Sequence, residues 1–311
     1  MPVLRARRMI LPLVAAGLFS AMPATAQDYA NESGEQERAE REARIDNDRI
    51  VVTGRAEEAS RAEVHMLARD ITMAGSVRQE PLARFQDPLC PGIAGLTAEV
   101  AGLVIDRIRE NAGLVDLAVQ DDGCTPNFIV AVVEDGQAML ARMIEQSPGR
   151  FQYMDSVDKR RMLEPGPVHV WTDVLPMTLT GMPIPRVRDL VEPPIMSAWV
   201  SHSLISTSVR NDIGMVWVFL DREEVRALSL RQLADYATMR GLVQTDPPAE
   251  TGISTILGLF NENGPWPEEL TDFDRAYLAA VYEPIANMPA AYNIGRVAAE
   301  LRAIEEGRAK E

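Results

Sequence analysis

The chain has 311 residues, 46% of them hydrophobic and 25% charged, the proportions of an ordinary globular protein and not of a fibrous or fully disordered one. Its 46 acidic against 31 basic side chains leave a net charge of −15, which lacks the basic footprint that nucleic-acid phosphates demand and argues against anionic lipid heads. No internal apolar run approaches the ~18 residues of a spanning helix, so an integral membrane protein is not expected once the N-terminal signal is removed.

In chain order, Arg5, Arg7 and Arg8 precede an apolar run at residues 9–18, and Ala24-Thr25-Ala26 stands before Gln27. A basic start, an apolar centre and a small-x-small ending form a three-part secretory signal over residues 1–26. Its removal takes away three positive charges and no negative ones, moving the net charge from −15 to −18. The expected location is the periplasm or the extracellular space. Residues 27–62 follow as an acidic, largely disordered tail, because ten acids and five arginines within 27–60 leave too little apolar surface to bury.

Residues 63–311 are expected to form a single α/β domain, a mixed sheet with flanking helices and a helical C-terminal part. Cys90 and Cys124 are the two cysteines and lie in the exported part. In an oxidising compartment they read as a disulfide, removing roughly 3–4 kcal/mol of unfolded-state entropy. Thr97 begins a helix carrying Val100, Val104, Ile105, Ile108 and Ala112 on one face, stopped at Gly113. Val115, Leu117 and Val119 alternate as a half-buried strand, closed by a turn at Asp121-Asp122-Gly123. The β-branched run 128–133 reads as a central strand, and Asp135 caps the next helix, with Met139, Leu140, Met143 and Ile144 at helical spacing. Residues 85–146 thus make a disulfide-tied α/β unit.

Residues 163–195 contain seven prolines and suit an irregular arm or edge strand, with a short strand at Val168-His169-Val170-Trp171. Within 196–285, strands at 198–205 and 215–220 flank Arg210-Asn211-Asp212-Ile213-Gly214, whose turn chemistry predicts an antiparallel hairpin. Ser229 with Gln232 and Thr271 with Asp274 are capping boxes that open two helices. Ser254, in Gly252-Ile253-Ser254, reads as a further capping hydroxyl. A last helix carries Ile294, Val297, Leu301 and Ile304.

Chemical signatures are sparse. There is no Gly-x-Gly-x-x-Gly, no phosphate loop and no Gly-x-Ser-x-Gly elbow, and lysine occurs only at 159 and 310. No cofactor, no metal and no catalytic set is expected. Trp171, Trp199 and Trp217 lie on separate strands, where they pack a sheet or line a sugar or aromatic pocket. His169 and His202 are the remaining candidate ligand-binding residues, with Asp173 or Asp212 as oxygen ligands should they hold a metal. A thiol nucleophile activated by His65, His169 or His202 is the redox alternative.

Two stretches carry a resemblance. Residues 81–91, with Cys124-Thr125-Pro126-Asn127 and Val133-Glu134-Asp135-Gly136, and residues 232–240, with Leu270-Thr271-Asp272-Phe273-Asp274, resemble a family of secreted proteins of alphaproteobacteria over roughly residues 65–285. The resemblance implies export and carries no activity with it. The second stretch also resembles a degenerate zinc-protease scaffold of the metzincin kind. Arg231 stands in place of the first histidine, Gln232 of the glutamate and Asp235 of the second histidine. An arginine repels a cation and an amide cannot take a proton from bound water, so that scaffold implies no hydrolysis. The residues therefore point to a non-catalytic exported protein with a binding or envelope-associated role, its partner an envelope protein or a small molecule. The alternatives are a zincin-like metallohydrolase with non-standard ligands and a thiol- or disulfide-active protein.

Overall fold

The computed structural model describes residues 59–152, 154, 156–185, 205–249, 252–261 and 266–309. The export signal, the acidic tail before residue 59, the strand expected at 198–204, Trp199 and His202 lie outside the described residues. The described chain opens with helix α1 (Arg61–Asp70), started by a reciprocal capping box between Ser60 and Glu63.

Five strands build one mixed sheet: β1 (Ala83–Arg84), β2 (Pro91–Ala94), β3 (Phe128–Val133), β4 (Val168–Thr178) and β5 (Val209–Asp221). β5 is the hub. Along one edge it pairs in parallel with β1 at residues 211–212 and then with β3 at residues 216–221. Its other edge carries β4, antiparallel over the whole length of that strand. β2 lies parallel on the far side of β3. Helix α2 (Ala98–Gly113) connects β2 to β3, and α3 (Gly136–Gln146) and α4 (Ser156–Met162) lie between β3 and β4. After β5 the chain is helical: α5 (Arg222–Val225), α6 (Leu230–Gly241), a 3-10 turn (Ile256–Phe260), α7 (Asp272–Val281) and α8 (Ala290–Arg308).

Period-two alternation sends the strands' side chains to two cores. Phe128, Val130, Val132, Val216, Val218 and Leu220 enter the larger one, with α2, α6, α7 and α8. Ala131, Trp171 and Phe219 enter the smaller one, with Leu140 of α3 and Phe151. Each such side chain contributes about 1.5–3 kcal/mol on leaving water. The expected cap at Asp135 forms, accepting from Ala138 N at 2.8 Å, as do the boxes at Ser229/Gln232 and Thr271/Asp274. Cys90 and Cys124 are joined, Cα atoms 6.1 Å apart, tying the start of β2 to the loop before β3. No helix among the described residues is long and apolar enough to cross a membrane.

Five local expectations are corrected or refined. The hairpin turn at 210–214 does not exist: those residues run inside β5. Asn211 there donates to Pro81 O at 3.0 Å and Asp212 accepts from Arg210 at 2.9 Å, so their polar groups serve the sheet and not a turn. The Pro-rich arm holds an 11-residue strand, and Pro176 is tolerated in β4 because its missing N–H does not face β5. Val115–Val119 form no strand, since Asp116 sits at φ 55° and only Val119 bridges, to Leu89. Thr255, not Ser254, caps the 3-10 turn, and Thr97 marks the start of α2 without a side-chain bond.

Gly241 ends α6 directly against the Phe128 ring, leaving no room for a Cβ. The Phe128 ring is fully buried in the larger core and cannot step aside without disturbing β3. Gly241→Ala is expected to lower unfolding stability by about 1–3 kcal/mol in urea titration, with an unchanged denaturant slope.

Candidate functional site

The carboxyl end of the parallel strands is where open α/β sheets usually hold ligands. Here it is closed by the chain's own side chains. Asp221 at the end of β5 accepts from Gly136 N at 2.6 Å, and Asp135 accepts from Ala138 N, so two carboxylates already occupy the start of α3. Arg222 spans the gap to Gly95 O and Val132 O, both at 3.2 Å, and pairs with Glu134 at 2.7 Å.

A cleft of about 800 Å³ opens instead beside β4. Every residue from Val168 to Val174 lines it. Its other walls are the 73–83 segment, the 150–154 turn with α4, and residues 240–246 after α6. That size is within the range of small-molecule and peptide sites. The wall beyond α6 is held by Met73 N donating to Gln244 O at 3.0 Å and by Asp246 N donating to Ile71 O at 2.8 Å.

Arg240, on the last turn of α6, is only 8% exposed and lines this cleft. Its single hydrogen bond among the described residues is a long one, 3.5 Å from Nη1 to Asp246 Oδ1, and its Nε is sealed with no partner. Asp246 is shared, since its other oxygen accepts from Arg161. Arg84 and Arg296 also leave Nε unbonded, but they are otherwise well held, Arg84 by the carbonyls of Val281 and Glu283 at the end of α7. A guanidinium carries five donors, and each buried donor left unmade costs about 1–3 kcal/mol. Arg240 is thus a buried cation with spare hydrogen-bonding capacity facing an open cavity.

His169 and Trp171 also line the cleft. His169 is buried; its Nδ1 lies 3.0 Å from Met162 O, and because a carbonyl only accepts, Nδ1 carries the proton. Its Nε2 is buried without a partner among the described residues. Trp171 is 1% exposed, packed on Phe151 at 5.1 Å with the Arg150 guanidinium 6.0 Å from its ring. Trp217 lies directly across from Trp171 on the same face and stacks with Phe219 at 5.5 Å. The two tryptophans therefore meet as packing residues of the smaller core, the first of the two readings given for them, and Trp171 also borders the cleft. Asp173 is four residues from His169 along β4, about 13 Å, and Asp212 faces Leu175, about 20 Å away, so neither acid reaches this histidine. Burial raises the Asp212 carboxyl above its ordinary range. No three His, Cys, Asp or Glu side chains gather as metal ligands among the described residues.

Arg231, Gln232 and Asp235, the three positions compared with a zinc-protease helix, serve structural bonds. Arg231 pairs with Glu269 at 2.8 Å. Gln232 completes the Ser229 box and donates to Pro267 O at 2.8 Å. Asp235 is fully buried and accepts from Arg107 Nε and Nη2 at 2.7 and 2.9 Å, Asn111 Nδ2 at 2.7 Å and Leu270 N at 2.8 Å. The same hydrogen bonds hold the Arg107 guanidinium above its already high ordinary pKa. Sequence reasoning missed Arg240 and the β4 cleft. The available signal was an arginine at the end of a helix whose neighbours Met239, Gly241 and Leu242 are all small or apolar.

No family model, no curated protein and no solved structure matches this chain.

Asp235→Asn keeps the shape but strips the charge from a buried carboxylate, leaving Arg107 with only the more exposed Glu110 and Glu269 as ion-pair partners. The expected loss is about 3 kcal/mol of unfolding free energy, read by urea denaturation.

Proposed function

We propose that the protein is an exported, non-catalytic binding protein of the periplasm or extracellular space, with its ligand in the cleft beside β4. The observation that carries the reading is Arg240, a buried guanidinium with unused donors on the wall of an 800 Å³ cavity. Leaving such a group under-bonded is costly unless an acceptor arrives from outside. A ligand carboxylate or similar oxygen pair is the natural complement to a guanidinium fork.

Recognition is favoured over turnover by what surrounds that cation. His169 spends its proton on Met162 O and has its other nitrogen sealed, so it is poorly placed to activate a nucleophile. Both cysteine sulfurs are committed to the disulfide, which also suits an oxidising compartment. The basic-apolar-small pattern of residues 1–26 supports export.

Thermal melting against a panel of free carboxylic acids, short peptides and sugars tests the reading, run on the wild type and on Thr172→Trp, which fills the cleft. A ligand at a hundred times its Kd adds about 2.7 kcal/mol, equivalent to roughly 5–10 °C for a domain of this size. A carboxylate-bearing class is expected to raise the wild-type Tm by that amount and to leave Thr172→Trp unmoved. Silence from every class, or a shift that survives in the filled variant, would contradict the proposal.

A further inference from the structure

Resting on that reading of the cleft, we infer that its ligand is a short extended peptide that adds as a strand to the free edge of β4 and presents a terminal carboxylate to Arg240. Along Val168–Thr172, β4 is paired on one side only among the described residues. Pro167 O accepts from Asp221 N at 3.0 Å, so the backbone groups of residue 167 face β5. Alternation then turns the N–H and C=O groups of Val168, Val170 and Thr172 away from β5. The far end of the strand agrees, for Pro176 O and Thr178 N bond outward, to Ile184 N and Met182 O. Among the described residues nothing pairs with the outward groups of Val168, Val170 and Thr172. All three residues line the cleft and are half-buried.

Unpaired strand edges are normally blunted by charge, proline or a covering segment. This one lies recessed in a cavity, where a second strand can reach it and a bulky folded partner cannot. From Val168 to Thr172 the edge spans about 13 Å, the length of some four residues. Only an extended backbone repeats donor and acceptor at that spacing; a sugar or an aliphatic acid does not.

Charge supplies the second half of the recognition. Arg161 and Arg240 share the single carboxylate of Asp246, which leaves one positive charge unmatched at that wall. Arg150 adds another beside Trp171, while the acids Glu80, Asp158, Glu164 and Asp173 line the other walls. A peptide's terminal carboxylate answers the guanidinium fork in a bidentate pair, and its main chain answers the strand edge.

The test uses the full chain and an equimolar pool of random tetrapeptides in three forms: free acid, C-terminal amide, and free acid N-methylated at alternate amides. Octanoate is a fourth probe. Isothermal titration is expected to show binding of the free acids, at least tenfold weaker binding of the amides, and none of the N-methylated pool. Arg240→Gln is expected to bring the free acids down to the amide level and leave the amides unchanged, with Arg240→Lys in between and melting curves confirming that both variants fold. Equal binding of acid and amide, or of N-methylated and unmodified pools, would overturn the inference, as would failure of the free-acid pool to bind. Octanoate binding through Arg240 without peptide binding would leave the cleft as a ligand site and remove the peptide. Silence from all four probes and from the wider panel would remove both.

Discussion

Backbone groups withdrawn from water must find partners, and in this protein one strand organises how they do so. β5 is bonded along one edge to β1 and then β3, and along the other to β4. The parallel half of the sheet is held between crossover helices, as parallel strands require. Among the described residues, the antiparallel strand on the opposite edge has no second strand along its first five residues. The cleft lies where β5's antiparallel partner turns outward backbone groups that find no partner among the described residues.

The polar interior is otherwise closed. Asp235 on α6 takes four donors, three from α2 and one from the segment before α7, and so ties the three together. Asp274 does the same for the 3-10 turn, accepting from Thr255 Oγ1, Ile256 N and Thr271 N at 2.5 to 2.9 Å. Satisfied hubs of this kind specify one packing, because removing any member strands the others in low dielectric. Arg240 stands out against that background. It is buried on the same helix as Asp235, yet among the described residues it holds one long hydrogen bond.

Local signals in the sequence were legible where a short-range bond decides the structure. Asp135, Ser229/Gln232 and Thr271/Asp274 all cap the helices their spacing predicts. The Phe128–Val133 run is a central strand because nothing but burial on both faces suits it. Tertiary partners defeated the reading elsewhere. Residues 210–214 carry turn chemistry, but Asn211 and Asp212 direct their side chains to Pro81 and Arg210. The alternation at 115–119 was real, yet a left-handed Asp116 broke the extended run. Trp171 and Trp217, read either as sheet packing or as a ligand pocket, pack on one face of the sheet, and Trp171 also borders the cleft. The cleft was invisible for a simpler reason: Arg240, Asp246, His169 and Val168–Thr172 converge only through the β4–β5 pairing, from segments about 70 residues apart.

The binding site depends on the outward backbone groups of Val168, Val170 and Thr172, which have no partner among the described residues. Residue-resolved amide hydrogen exchange tests this directly. The account predicts alternation, with Val168, Val170 and Thr172 exchanging far faster than His169, Trp171 and Asp173, whose N–H groups face β5. Uniform protection from Val168 through Asp173 would mean that the edge is already paired, and the binding site described here would not exist.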